Sequence, residues 1–136
     1  MRKGVIFGIG CLVLGFLMFG SGGCKVNLSN PPFVQLDTLV GYVYDDTTLQ
    51  QGTTANFYVF ASRAGNDDIL DTGIIYRSIN GGPDSVLQTM WLSTTQFTNI
   101  YSYVLGPNGN KERYTFTFGT QNGKYDSISV TIKDSL

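Results

Sequence analysis

The stretch Tyr114-Thr115-Phe116-Thr117-Phe118, followed after a turn by Ile128-Ser129-Val130-Thr131-Ile132, decides how this chain folds. Apolar and hydroxyl side chains alternate in both segments, so each segment as a β-strand has one buried and one solvated face. Between them lies Gln121-Asn122-Gly123-Lys124, and Asn-Gly is the strongest short signal for a hairpin turn. The two segments therefore predict an antiparallel hairpin that packs through one face.

Short β-prone runs separated by turn residues extend upstream from this hairpin. No stretch after Cys24 has a sustained helical period, and no internal repeat is evident. Two of the turns, residues 81–84 and 106–110, are rich in Gly, Pro, Asn and Asp, which favour tight reversals of the chain. The seven predicted strands are residues 38–44, 53–62, 72–80, 85–92, 96–105, 112–120 and 126–132.

Seven antiparallel strands in about 100 residues fit a sandwich of two sheets. The Tyr-x-Phe strand, the polar turn and the alternating final strand resemble immunoglobulin-like and fibronectin-III-like domains of bacterial surface proteins. By that resemblance Tyr114 stands at the tyrosine corner and Phe116 at the site of the second antibody cysteine. The missing disulfide and the position of Trp91 on the fourth run argue against an antibody-type domain. We expect an all-β, antiparallel, immunoglobulin-like sandwich over residues 37–136.

The amino-terminal segment resembles the signal of a bacterial lipoprotein. Arg2 and Lys3 precede an apolar stretch of signal-peptide length at residues 5–19, and small residues lead into Cys24. In such proteins the cysteine receives a diacylglycerol, usually with a third acyl chain such as palmitate, and becomes the first mature residue. The resemblance implies a helical signal peptide at residues 1–23 and a lipid anchor on Cys24.

An uncleaved membrane helix is the alternative interpretation of the same segment. Residues 4–23 carry no charge and are long enough to span a bilayer, although repeated glycines weaken such a helix. Ser21 also departs from the usual lipobox, which has an aliphatic residue three places before the cysteine. Both interpretations export the rest of the chain. Lys25 rather than aspartate follows Cys24, which by resemblance favours the outer membrane if the host is Gram-negative.

Composition limits the functions of the exported part. Without residues 1–23 the chain has 113 residues (136 − 23), enough for one domain. Seven Lys and Arg (9 − 2) against ten Asp and Glu give a formal charge of −3 (7 − 10). With no basic stretch, this balance argues against nucleic-acid binding. Pro31 and Pro32 indicate that residues 24–36 are the lipidated cysteine and an extended linker.

Residue types needed for common enzymatic chemistry are missing. The chain has no histidine, and its cysteines are Cys11, in the apolar leader, and Cys24. The commonest general base, the commonest transition-metal ligand and a cysteine nucleophile are therefore absent from the exported part. Glu112 is the single glutamate, and no Ser-x-x-Lys or phosphate-binding motif occurs. We expect no catalytic residue and no cofactor.

Aromatic side chains are the first candidates for binding. Trp91, Tyr101 and Tyr103 lie on predicted strands, and exposed rings there could stack on sugars or contact a protein partner. The run at residues 100–105 is apolar on both faces, so one side could exceed what a single core needs. The alternative is that these rings fill the core of a small domain that has no disulfide.

Acidic side chains are the second candidates. The loop at residues 66–71 concentrates oxygen ligands, and Asp67, Asp68 and Asp71 are candidates for calcium. No EF-hand or other recognised spacing of ligands is present, so a solvated loop that uses Asn and Asp for turns is the favoured alternative.

The sequence thus predicts a non-catalytic, lipid-anchored module of the cell envelope with a binding or structural role. Resemblance to single-domain lipoproteins implies a protein partner or a larger envelope complex. A carbohydrate-binding module that uses exposed aromatic residues is the first alternative. A calcium-dependent, adhesin-like domain is the second.

Overall fold

The computed structural model describes residues 30–66, 68–107 and 109–136, which form two β-sheets. The predicted signal-peptide helix, Cys24 and most of the predicted linker lie outside these residues. Within them no helix is long and apolar enough to cross a membrane. The strands are β1 Phe33–Leu36, β2 Thr47–Gln50, β3 Thr54–Ser62, β4 Leu70–Ile79, β5 Ser85–Thr94, β6 Gln96–Val104, β7 Lys111–Thr120 and β8 Tyr125–Ser135.

The strands are divided between two sheets, so the predicted all-β, two-sheet architecture is confirmed. A three-stranded sheet has the order β1-β3-β6, and a five-stranded sheet has the order β2-β8-β7-β4-β5. Neighbouring strands are antiparallel except β2 and β8, which run parallel. The predicted hairpin of β7 and β8 lies inside the larger sheet, with its tight turn at Gly123, where φ is 75°.

The amino-terminal part of the sandwich differs from the prediction. Residues 38–44 do not form a strand, because the chain turns there: the Tyr42 N–H donates to the Leu39 carbonyl, and Gly41 has a φ of 94°. Strands β1 and β2 lie on either side of this turn. Strand β1 falls inside the predicted linker, where Val34 and Leu36 alternate with exposed residues and are buried.

The other six predicted runs each contain a strand, with ends that shift by at most three residues. The core between the sheets is largely aromatic. The ring of Phe57 on β3 lies 5.0 Å from that of Tyr114 and 5.2 Å from that of Phe116. Both β7 rings are buried, whereas Thr115 and Thr117 between and beyond them are not. The rings of β7 therefore face the core and its threonines face away from the core, as the alternation predicted.

Candidate binding face

The surface of the five-stranded sheet that points away from the core is here called the outer face. Cross-strand register arranges its side chains in rows that run across β5, β4, β7 and β8. The first row, here called the aromatic row, is Trp91, Thr72, Gly119 and Tyr125. The second is Thr89, Ile74, Thr117 and Ser127, and the third is Val86, Tyr76, Thr115 and Ser129. None of these side chains carries a charge.

Two large rings of the aromatic row are open to solvent. Trp91 is 84% exposed and Tyr125 is 66% exposed. The neighbouring Met90 turns the other way and packs against the core, so β5 holds Trp91 outward by its pleat. Since indole is the largest apolar side chain and does not contribute to this core, its position favours contact with a ligand.

The absence of a side chain at Gly119 allows the ring of Tyr125 to lie over the backbone of β7. A Cβ atom on Gly119 would lie 2.7 Å from Cε1 of Tyr125, so the ring occupies the space above the glycine. Tyr125 is a residue of β8, but its ring lies over Gly119 of the neighbouring strand β7. Strand β7 is one strand closer than β8 to β5, which carries Trp91. The two exposed rings are therefore about two strand spacings apart, roughly 10 Å.

Hydrogen-bonding groups lie in the aromatic row and in the two rows next to it. The Thr72 hydroxyl donates to Oδ1 of Asp71 at 2.6 Å, and the same oxygen lies 3.6 Å from the Cβ position of Gly119. A carboxylate oxygen thus stands beside the aromatic row. In the next rows hydroxyls pair across the strands at 2.7 to 2.8 Å, Thr117 with Ser127 and Thr115 with Ser129. Each hydroxyl of such a pair keeps an unused acceptor for a ligand.

The other two predicted aromatic residues do not share this surface with Trp91. Tyr101 is buried, its hydroxyl bonds to the sulfur of Met90, and burial raises its pKa. Tyr103 is half-buried and stacks on Tyr114 with ring centroids 5.4 Å apart. Both rings fill the core because β6 turns its odd-numbered residues towards the other sheet. Of the three predicted rings, the structure places Tyr101 and Tyr103 towards the core and Trp91 on the outer face.

Two of the three calcium candidates, Asp68 and Asp71, lie in different surroundings. Asp67 lies outside the described residues. Asp68 is buried and accepts the Ile69 N–H at 2.9 Å, whereas Asp71 lies beside the outer face. Burial pushes the pKa of Asp68 upward, but neighbouring hydrogen-bond donors, among them the Ile69 N–H, outweigh it and lower this pKa. Among the residues the structure describes, no three His, Cys, Asp or Glu side chains are grouped to hold a metal ion.

A buried polar cluster at the end of the core was missed in the sequence. Glu112 and Asp134 are almost fully buried, with the guanidinium of Arg77 3.7 Å from Oε1 of Glu112. The Gly106 N–H donates to Oε2 of Glu112 at 3.0 Å. Extending the alternation Val130, Ile132 by one step places Asp134 on the core face, and this was the available signal.

Burial and the neighbouring Glu112 change the pKa of Asp134. Burial raises the pKa of Asp134 to about 6, and the charge of Glu112 adds to the effect. Burial likewise raises the pKa of Tyr114 to about 12. The hydroxyl of Tyr114 makes no hydrogen bond of ordinary geometry within the described part of the chain. The backbone hydrogen bond that a tyrosine corner would imply is therefore not formed.

No family model matches the chain, and no curated protein matches it. Similar solved structures include the sporulation control protein Spo0M of Bacillus subtilis, with a TM-score of 0.48 and 8% identity over 78% of this chain and 49% of that protein. A DUF4466 family protein of Parabacteroides merdae has a TM-score of 0.47 and 14% identity over 72% of this chain and 42% of that one.

A β-glucosidase of Listeria innocua, solved in complex with glucose, has a TM-score of 0.48 and 9% identity over 80% of this chain. The match covers 17% of the β-glucosidase. This chain therefore spans less than half the length of each of these three proteins.

Proposed function

We propose that this protein is a non-catalytic, lipid-anchored module of the cell envelope that binds a neutral glycan on its outer face. The observation that carries the proposal is the aromatic row, in which Trp91 and Tyr125 are both exposed on one face of the sheet. The carboxylate of Asp71 and the hydroxyl of Thr72 stand between the two rings.

Glycan chemistry matches these groups. The apolar face of a sugar ring stacks on an aromatic ring, while the sugar hydroxyls need hydrogen-bond donors and acceptors. The outer face offers both kinds of group, and its three rows carry no charged side chain. A neutral polymer fits this surface better than an anionic one. A small free sugar would need a concave pocket, whereas two exposed rings about 10 Å apart on an open sheet face favour an extended chain.

The immunoglobulin-like class forms part of the proposal. Strands β1, β3 and β6 correspond in order to strands A, B and E of such domains, and β8, β7, β4 and β5 to G, F, C and C′. The ends of this sandwich class commonly carry the binding loops. Here the exposed rings lie on the face of the sheet rather than in its end loops, which supports a contact along an extended ligand.

The anchor would keep the binding face close to a membrane. Nine residue steps separate Cys24 from Phe33, the first residue of β1 (33 − 24). An extended chain of that length reaches about 30 Å. A lipid on Cys24 would therefore confine binding to glycans within that layer, at the outer membrane in a Gram-negative host.

Binding is tested with Trp91 as the probe, because it is the single tryptophan of the chain. We expect its fluorescence to change when the full chain, in mild detergent, meets neutral polysaccharides such as cellulose, chitin or glucan oligomers. Trp91→Ala should weaken retention on the bound polysaccharide at least about tenfold, the loss expected for a central aromatic contact. Phe33→Ala, an exposed aromatic on the other sheet, is the matched control and should bind normally.

A different result would redirect the proposal. If no neutral glycan changed the fluorescence, while an envelope protein co-purified with the chain and was lost in Trp91→Ala, the outer face would be a protein-binding surface. The anchor is tested separately by metabolic labelling with a palmitate analogue. Labelling should be lost in Cys24→Ala, and equal labelling of both chains would contradict lipidation.

A further inference from the structure

Within the part of the chain that the structure describes, the sandwich has four edge strands, and one of them lacks the usual protection against addition of a further strand. Strands β1 and β2 have only four residues each, which limits what can pair with them. Strand β5 has two register shifts in its pairing with β4, as at β-bulges. Strand β6 pairs with nine consecutive residues of β3 without a shift, and it contains no proline and no charged residue.

The free side of β6 carries backbone groups that no strand uses within the described part of the chain. The Ile100 N–H points away from β3, because it donates to the side chain of Asn99 at 2.9 Å instead. Since alternate residues direct their backbone groups to opposite sides, the even-numbered residues of β6 face the open edge. These are Gln96, Thr98, Ile100, Ser102 and Val104.

We propose that β6 pairs antiparallel with β6 of a second copy of this chain, about a two-fold axis at Ile100. In this register Ile100 faces itself, and the even-numbered residues of both copies direct their N–H and C=O groups at each other. The remaining opposed pairs are Thr98 with Ser102, Phe97 with Tyr103, Asn99 with Tyr101, and Gln96 with Val104.

The strand is complementary to itself in this register. Three kinds of opposed pair join aliphatic to aliphatic, hydroxyl to hydroxyl and aromatic to aromatic side chains, which are favourable combinations across antiparallel strands. Asn99 with Tyr101 and Gln96 with Val104 are unlike, uncharged pairs. A two-fold axis places any charge near its own copy, and no residue from 85 to 110 carries a charge. Asn99 must release the Ile100 N–H, but that group then donates to the Ile100 carbonyl of the second copy. Thr94 must likewise release the Gln96 carbonyl, which accepts from its hydroxyl at 2.8 Å, and that carbonyl then accepts from the Val104 N–H of the second copy.

The proposed dimer interface on β6 and the proposed glycan-binding face would remain separate. Strand β6 belongs to the three-stranded sheet, whereas the aromatic row lies on the five-stranded sheet. Pairing through β6 therefore leaves Trp91 and Tyr125 open, and it does not depend on the glycan proposal.

Sedimentation equilibrium of the full chain in detergent tests the association. We expect a monomer–dimer equilibrium that depends on concentration, since one strand pair makes a small interface. Ile100→Lys would oppose two ammonium groups at the axis and should raise the dissociation constant at least about tenfold. Gln35→Lys is the control, because it adds the same charge to the same sheet at the far strand, β1. Circular dichroism checks that both variants fold.

Crosslinking tests the register itself. A short bis-maleimide should join two copies of Ile100→Cys, whereas Ser102→Cys should not react, because its two copies would lie roughly 14 Å apart. The double variant Thr98→Cys with Ser102→Cys should crosslink again. Links through Cys11 or Cys24 appear equally in the parent chain and are subtracted. A monomer at all concentrations, equal crosslinking at residues 100 and 102, or a foreign strand found on β6 instead would overturn the proposal.

Discussion

Gly73 and Gly119 of the five-stranded sheet leave space that neighbouring side chains occupy. A Cβ on Gly73 would lie 2.7 Å from Cε of Met90 and 2.9 Å from Cε1 of Phe118, inside the core. We expect Gly73→Ala to lower the free energy of unfolding by about 1–3 kcal/mol, because extra volume in a packed core forces its neighbours to move. Urea unfolding followed by circular dichroism measures the loss, and an unchanged midpoint would contradict it.

Gly119→Ala should behave differently although its clash is equally short. The new Cβ would meet the ring of Tyr125, which is an exposed side chain that can swing away. We expect little change in unfolding but weaker binding to the polysaccharide that the parent chain retains, because the ring leaves its place beside Asp71. Normal retention together with unchanged stability would show that the position of Tyr125 does not matter for binding.

Sequence reasoning at the residue scale succeeded where only one face of a strand was apolar. In β7 the alternation of rings and threonines assigned each face correctly. In β6, Ile100 and Val104 occupy one face and Tyr101 and Tyr103 the other, so both faces looked buried. Only the register with β3 decides which pair enters the core, and that pairing joins residues about 40 positions apart in the chain.

At the scale of elements, β1 is the strand that the sequence analysis assigned to a linker. Two prolines before it suggested a linker, yet four alternating residues pair with β3. We expect Leu36→Ala to cost about 2–4 kcal/mol of unfolding free energy, as for other buried leucines. Leu39→Ala is the control, since that side chain is half exposed in the following turn. Equal costs in urea unfolding would mean that β1 is not part of the stable sandwich.

The turn after β1 explains the error in the predicted first strand. Residues 38–44 are rich in β-prone side chains, but Val40 is fully exposed and Gly41 takes a left-handed backbone. The chain uses this turn to pass from the three-stranded sheet to the five-stranded one. A local pattern cannot show such a crossing, because it depends on which distant strand each half pairs with.

At the scale of the molecule, the sequence predicted two layers, but it could not predict which surface stays open. The aromatic row combines residues from four strands that span positions 72 to 125. Trp91 was a candidate from its type alone, whereas the position of the exposed Tyr125 ring depends on Gly119 across the hairpin. The buried acids at the end of the core depend in the same way on the packing of the two sheets, and we expect them to make the stability of the molecule depend on pH.

Asp134 sets the direction of that dependence. Its pKa is raised from 3.8 to about 6 in the folded chain, so between these values the folded state holds a proton that the unfolded state has released. Stability is therefore highest below about pH 4 for this group, and it falls by roughly 1–3 kcal/mol as the pH rises towards 6 and then levels off. Asp68 has a lowered pKa and acts at lower pH, outside this window.

Urea unfolding of the parent chain and of Asp134→Asn, at pH 4.5 and pH 7.5, isolates this contribution. The parent chain should be less stable at the higher pH, because it then buries two neighbouring carboxylates with one nearby guanidinium. The asparagine variant keeps the shape without the second charge, so its stability should change less between the two values and exceed that of the parent at pH 7.5. If both chains lost the same stability, the buried pair would not be the titrating element.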